Sequence, residues 1–347
     1  MGMLKKKTLS IFLTVFAALG SIIMAFPVMA TSQTDAGFYV YANLPENQLD
    51  KNLTYFDLRM KPEQIQTLEV EITNQLDMPL EIDVEAISAS TNRHGIIDYK
   101  TPFVRDETLT FPFSNLAKVH ETVLTVPARS SKTVAITITM PKESFDGVIL
   151  GGLTITRKPD KTKDSKTTII NNIFSYVIGV KLSENDVVVD PHFELVKVTP
   201  KSVHYQPEFV HAIRNSQASI VKNMDVEVSV TDANGKAWAH ANKSNIDMAP
   251  NSILPLGAAL DGTEFKAGNY TSNVTVKYDN QTFSYQKDFV IASPHANIIN
   301  DEIITPDSAK TTPWLMIIIV LLLSSIIILL LVLLKQKKDK SLERKDV

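Results

Sequence analysis

The chain has 347 residues, 44% of them apolar and 21% charged, and contains no cysteine, which excludes disulfide scaffolds, thiolate zinc sites and thiol catalysis. Charge is unevenly spread. Setting aside residues 1–30 and 314–347 leaves 26 basic and 35 acidic residues, net −9, a sign that argues against binding nucleic-acid phosphates.

Lys5, Lys6 and Lys7 precede an apolar run from Leu9 to Phe26, and Val28-Met29-Ala30 closes it with aliphatic and small residues. This is the pattern of a secretory signal cleaved after Ala30, the alternative being an uncleaved anchor. Beyond it the dominant period is two: Leu68, Val70 and Ile72; Leu80, Ile82, Val84 and Ala86; Val134, Ile136, Ile138 and Met140, with Thr, Glu or Asp between many of them. Such alternation buries one face of a strand and wets the other, as antiparallel sandwich strands require. Residues 157–168, rich in Lys, Asp, Ser and Thr, read as an exposed hairpin loop, because strand character resumes from Ile169 to Leu182.

The stretch from 31 to 313 is too long for one sandwich of about 100 residues, so two domains are expected, 31–185 and 186–292, divided near Glu184 to Pro191. In the second, Val226, Val228 and Val230 repeat the alternation, and Tyr278-Asp279-Asn280-Gln281 splits Tyr270 to Ile291 into a hairpin. No sustained 3.6-residue period occurs outside the two apolar ends, so the expected fold is all-β, with residues 293–313 as a stalk. Trp314 to Leu334 is an unbroken apolar or hydroxyl segment which, at 1.5 Å per residue, spans a hydrocarbon core of about 30 Å as one transmembrane helix. Trp314 suits the headgroup layer, and Lys335, Lys337 and Lys338 open a basic tail, 335–347, that stays cytoplasmic. Ser324 and Ser325 can bond a partner helix or return to their own backbone. An exported, cysteine-free ectodomain without an LPxTG-like sorting signal fits a Gram-positive surface, with a single-pass anchor in the cell membrane, N-terminus out.

Catalytic signals are lacking. The seven histidines show no helical i, i+4 metal pair, and His204 and His211 read as polar punctuation around strands. No Gly-x-Ser-x-Gly elbow is present, and Gly151-Gly152 lies in an apolar strand pattern where glycine marks a bulge or a close backbone approach. Glu69, Glu71, Glu81, Asp83 and Glu85 read as the wet face of strands. No enzyme activity, metal or cofactor is implied. The candidates for ligand binding are Asn47, Gln48, Tyr55 and Asp57, whose amide, phenol and carboxylate groups suit sugar hydroxyls and peptide amides; turn chemistry and core filling are the competing roles. Gly268-Asn269-Tyr270 resembles the turn before a late sandwich strand, where a tyrosine fixes a corner.

Several motifs in order resemble the WxL-interacting protein family of Gram-positive surface proteins. They are Leu44-Pro45-Glu46-Asn47-Gln48, Thr54-Tyr55-Phe56-Asp57-Leu58, Lys61-Pro62, Leu68 to Asn74, Gly147 to Leu153, Phe193-Glu194-Leu195, Met248 to Ser252 and Lys266 to Tyr270. The resemblance implies two tandem Ig-like β-sandwiches, the first binding peptidoglycan and the second host factors or partners, among them WxL-domain surface proteins and extracellular-matrix or serum proteins. The chain is not itself a WxL protein, its two tryptophans reading Trp238-Ala239-His240 and Trp314-Leu315-Met316. The resulting expectation is a membrane-anchored adaptor. An envelope sensor signalling through a partner membrane protein and a wall hydrolase are the competing classes.

Overall fold

Alternating side chains place Leu68, Val70 and Ile72 of β3 (Ile65–Asn74) on one face, opposite Val134, Ile136 and Ile138 of β9 (Ser131–Thr139), and all six are buried. The computed structural model describes residues 36–100, 103–159, 173–262, 264–303, 318–326, 328 and 332. With β1 (Phe38–Asn43) and β7 (Ala117–Val119), these strands make an antiparallel sheet in the order β1-β3-β9-β7. The facing sheet runs β2-β11-β10-β4-β8, built from β2 (Phe56–Arg59), β11 (Ser175–Ser183), β10 (Ile149–Arg157), β4 (Leu80–Ser88) and β8 (Val123–Val126). Only β2, which pairs with β11, runs parallel to its neighbour in this sheet. Leu80, Ile82, Leu153, Ile155, Val180 and Leu182 complete the core from this side. Each such side chain contributes about 1.5–3 kcal/mol by burial, and without disulfides this burial carries the fold. A four-residue helix, α1 (Phe113–Leu116), plugs Phe113 into the core over Gly151, where a Cβ would fall 2.0 Å from the ring. The glycine in the apolar strand therefore marks the close approach of a side chain rather than the bulge or backbone approach expected.

A second pair of sheets encloses a second core. One is β12 (Phe193–Val203), β13 (Gln206–Asn215) and β16 (Ser252–Ala259); the other is β15 (Ala237–Met248), β14 (Val221–Asp232), β17 (Gly268–Tyr278) and β18 (Gln281–Ile291), ordered β15-β14-β17-β18. Asp279 and Asn280 both take positive φ, 44° and 62°, and so close β17 and β18 into the expected hairpin with a turn that matches the strand twist. The centre is aromatic. Phe209 lies 5.2 Å from Phe265, 5.7 Å from Phe289 and 5.8 Å from Tyr270, and Trp238 meets Tyr270 edge-on at 5.5 Å. The Tyr270 hydroxyl donates to the Lys266 carbonyl at 2.8 Å, the corner expected of that tyrosine.

Two sequence expectations change, and one open alternative is decided. His211 is not polar punctuation: it is fully buried on β13, on the inward face with Phe209 and Ile213, and its Nε2 lies 2.9 Å from the Ser272 hydroxyl of β17. The segment assigned to a stalk begins instead with a helix, α2 (Ser293–Glu302), which buries Ala296 and Ile299 on the second core. The Asn300 side chain secures it, accepting from the Phe265 N–H at 2.8 Å and donating to the Phe265 carbonyl at 3.0 Å. Ser324 and Ser325 return their hydroxyls to the carbonyls of Leu321 and Leu322 at 2.9 and 2.8 Å, within a helical stretch at 318–326. Among the described residues no helix is long and apolar enough to cross a membrane. Trp314, Lys335, Lys337 and Lys338, like the predicted signal at 1–30, lie outside the described residues.

The two sandwiches are docked through directed contacts. A small ribbon of β5 (Ser90–Thr91) and β6 (Ile97–Asp98) leans on the second sandwich. There the Thr91 hydroxyl pairs with Ser252 at 2.6 Å and accepts the Ala249 N–H at 3.0 Å. Arg214 of β13 meets Asp106 at 3.1 Å and Glu107 at 2.8 Å across the junction, and Arg93 meets Glu208. On the opposite side the Val148 N–H donates to Ala218 at 2.8 Å.

Candidate functional site

On the outward face of the first sandwich, Gly152 of β10 and Gly179 of β11 are register partners. Two strands that both lack a side chain at one level leave a flat floor in the sheet. Two tyrosines occupy it. A Cβ on Gly152 would stand 2.8 Å from the Tyr99 ring, and one on Gly179 would stand 3.7 Å from Tyr55. Tyr55 enters just before β2, Tyr99 just after β6, and with Ile97, Leu150, Val177 and Lys181 they line a groove of about 400 Å³. Ile220 and Lys222 of the second sandwich form its far wall, so both sandwiches contribute to the groove. Tyr55 is 37% exposed, while burial, helped by the neighbouring Tyr55 phenol, pushes the Tyr99 hydroxyl up to about 12. The Tyr99 phenol is therefore a neutral hydrogen-bonding group at physiological pH.

Lysine charge sits at the rim. Lys181 Nζ lies 3.1 Å from Asp57 Oδ2, and Lys222 Nζ lies 2.6 Å from Asp247 Oδ2. Asp57 is 7% exposed and its Oδ1 has no partner, so a buried acceptor remains beside the lysine. Aromatic faces with fixed ammonium groups in a concave cleft can stack on sugar rings and take carboxylates.

The four sequence candidates divide. Tyr55 lines the groove and Asp57 orients its lysine. Gln48, 6% exposed, spends its amide on the loop itself, donating to the Asp50 and Tyr55 carbonyls at 3.0 Å each and accepting the Asp57 N–H at 3.1 Å. Asn47 exchanges a reciprocal pair of amide bonds with Gln66 at 2.9 and 2.8 Å and donates to the Arg59 carbonyl at 3.2 Å. These two amides hold the 44–55 loop that delivers Tyr55, away from the groove lining. Tyr99, Lys181, Gly152 and Gly179 are absent from the sequence candidates. Glycines at outward-facing strand positions are the signal that points to a bare floor, but which glycines share a level depends on strand register.

The acidic residues Glu69, Glu81 and Glu85 point to solvent, and Glu71 and Asp83 are half-buried, Asp83 meeting Lys158 at 3.0 Å. Among the described residues no group of three or more His, Asp or Glu is arranged to hold a metal ion.

Residues 38–157 match the family model described as WxL Interacting Protein, peptidoglycan binding domain, and residues 165–301 match that described as WxL Interacting Protein, host binding domain. The second match starts ahead of β11, a strand that pairs within the first sandwich. No curated protein matches the chain. Among solved structures it is similar to the YadV chaperone, at 10% identity over 73% of this chain and 100% of that one, with a TM-score of 0.29. It is also similar to the E. coli chaperone DraB, at 16% identity over 73% and 98% with a TM-score of 0.28. A third is the Pseudomonas aeruginosa CupB2 chaperone, at 15% identity over 67% and 97% with a TM-score of 0.26. Scores this low carry no argument about function. The two family models, in tandem and together covering most of the chain, place it in the WxL-interacting protein family.

Proposed function

We propose that this protein is a non-enzymatic surface adaptor. Residues 1–30 export it, the segment from Trp314 to Leu334 holds it in the bilayer of a Gram-positive cell, and Lys335, Lys337 and Lys338 keep its tail inside. Residues 31–185 grip peptidoglycan, and residues 186–292 take WxL-type surface proteins or host proteins. The observation that carries the reading is the tandem match of a peptidoglycan-binding and a host-binding family model to a chain with two sandwich cores. The groove between Tyr55 and Tyr99 supplies the chemistry: phenol faces for the sugar rings, with Lys181 and Lys222 for the carboxylates of the stem peptide. Asn47 and Gln48 act by positioning Tyr55. Retention on the wall would draw its strength from anchoring, since a chain held in the membrane samples the wall at high effective concentration.

The test is co-sedimentation of the full chain, in detergent, with purified peptidoglycan sacculi. It is expected to pellet with them and to release no soluble muropeptides on long incubation. Failure to pellet would overturn the wall-binding half, and release of muropeptides would overturn the non-enzymatic one.

A further inference from the structure

A second concavity lies where the sandwiches meet, on the outward face of β12-β13-β16. Its floor is low because the side chains there are short: Ala212 pairs with Pro255, with Val210 beside them, while the space over Gly257 at the end of the trough is filled by the Glu208–Arg93 ion pair. Ile253 extends it, and Phe103 and Val104 of the first sandwich form a wall. Val104 is 83% exposed, an apolar side chain left in water beside an apolar floor. The trough encloses about 470 Å³.

Its charge runs against that of the rest of the chain. Lys197, Lys201 and Arg105 border the trough, and none of the three is ion-paired with a described residue. The one acid in the lining, Asp106, is engaged by Arg214 at 3.1 Å. Three unneutralised cations around an apolar floor, on a stretch of net charge −9, form a positive patch that attracts one sign of partner.

The geometry points to a docking trough for an extended segment of a partner protein in which acidic residues alternate with apolar ones. The apolar side chains lie on Val210, Ala212 and Ile253 against the Phe103–Val104 wall, and the carboxylates reach Lys197, Lys201 and Arg105. This deepens the partner-binding half of the reading above and rests on it; the peptidoglycan groove is a different surface.

The probe is a dye-labelled synthetic octapeptide alternating Glu and Val, followed by fluorescence anisotropy on the full chain in detergent. The chain is expected to bind it and to reject the Lys/Val and Glu/Ser counterparts. The double variant Lys197→Glu/Lys201→Glu is expected to weaken binding by about tenfold or more, because two attractions become repulsions at exposed sites that do not support the fold. Val210→Asp, which puts a charge on the floor, is expected to do the same, with the melting temperature measured beside it to show that the chain folds. Absence of binding, equal binding of the Lys/Val or Glu/Ser peptide, or insensitivity to these variants would overturn the trough. Retention of native envelope proteins by the Lys197→Glu/Lys201→Glu chain at the wild-type level would overturn the trough and leave the adaptor reading standing. Absence of retention by the wild-type chain as well would overturn both.

Discussion

At Gly151 a methyl group would fall 2.0 Å from the buried Phe113 ring. At Gly179, 3.7 Å separates the same addition from Tyr55, an ordinary van der Waals distance. The two positions therefore answer to different constraints. Gly151→Ala overpacks the first core and is expected to lower unfolding free energy by about 1–3 kcal/mol in denaturant titrations, while Gly179→Ala is expected to fold with nearly unchanged stability. Equal stability of both variants would show that Phe113 does not plug the core. The pair Gly151-Gly152 was legible in sequence only as a bulge or a close backbone approach, because glycine weakens a strand unless something needs the space. What approaches was not legible, since Phe113 and Tyr99 arrive from distant segments.

Among the elements, β13 and β17 are tied face to face by a polar bond inside an apolar core: His211 Nε2 lies 2.9 Å from the Ser272 hydroxyl. Burial pushes the His211 imidazole down to about 4, its Nδ1 having no hydrogen-bond partner among the described residues. The folded chain therefore holds the ring neutral, whereas the unfolded chain, near the ordinary 6.5, binds the proton first. The stability due to this group is complete above about pH 6.5 and is lost as pH falls from there through 4. The melting temperature is expected to drop over that window, and His211→Leu is expected to flatten that part of the curve. At pH 7 the variant is expected to cost about 1–3 kcal/mol by leaving Ser272 unpaired. A variant curve parallel to wild type would refute the assignment. Parity already placed His211 inward, in step with Phe209 and Ile213, but polarity argued for the surface. The helix α2 was hidden for the opposite reason: it buries only Ala296 and Ile299, too few apolar residues to show a period of 3.6. The hairpin at Asp279-Asn280 was readable because its turn residues and both strands are contiguous.

Over the whole molecule, the two sandwiches are held together by groups that cannot separate without loss. Arg214 has a side chain 12% exposed and Asp106 one 4% exposed, and Glu107 and Glu194 approach the same guanidinium at 2.8 and 3.3 Å. Removing the cation leaves Asp106 buried beside other carboxylates, a change that costs about 3–5 kcal/mol at buried pairs. Arg214→Ala is expected to lower the melting temperature and split calorimetric unfolding into two transitions, one per sandwich. A single unshifted transition would mean that the junction contributes nothing. Period-two alternation revealed strands, and the length of the stretch between the apolar ends pointed to two units. The alternation could not reveal the docking, because the contacts join residues distant in sequence such as Thr91 and Ser252, and neither carries a local signal. The same docking places Ile220 and Lys222 beside Tyr55 and Tyr99, making the groove a product of both sandwiches.

That groove is the central claim, and co-sedimentation of the Tyr55→Ala/Tyr99→Ala chain with purified sacculi, beside the wild type, tests it most directly. Both rings rest on the outer face of the sheet over glycines, outside the core cluster, but Tyr99 is partly buried, so the double variant is expected to melt lower than the wild type and still fold. Losing two stacking surfaces is expected to cut the bound fraction by about tenfold or more. A double variant that folds and pellets as the wild type does would contradict the assignment of peptidoglycan to this groove.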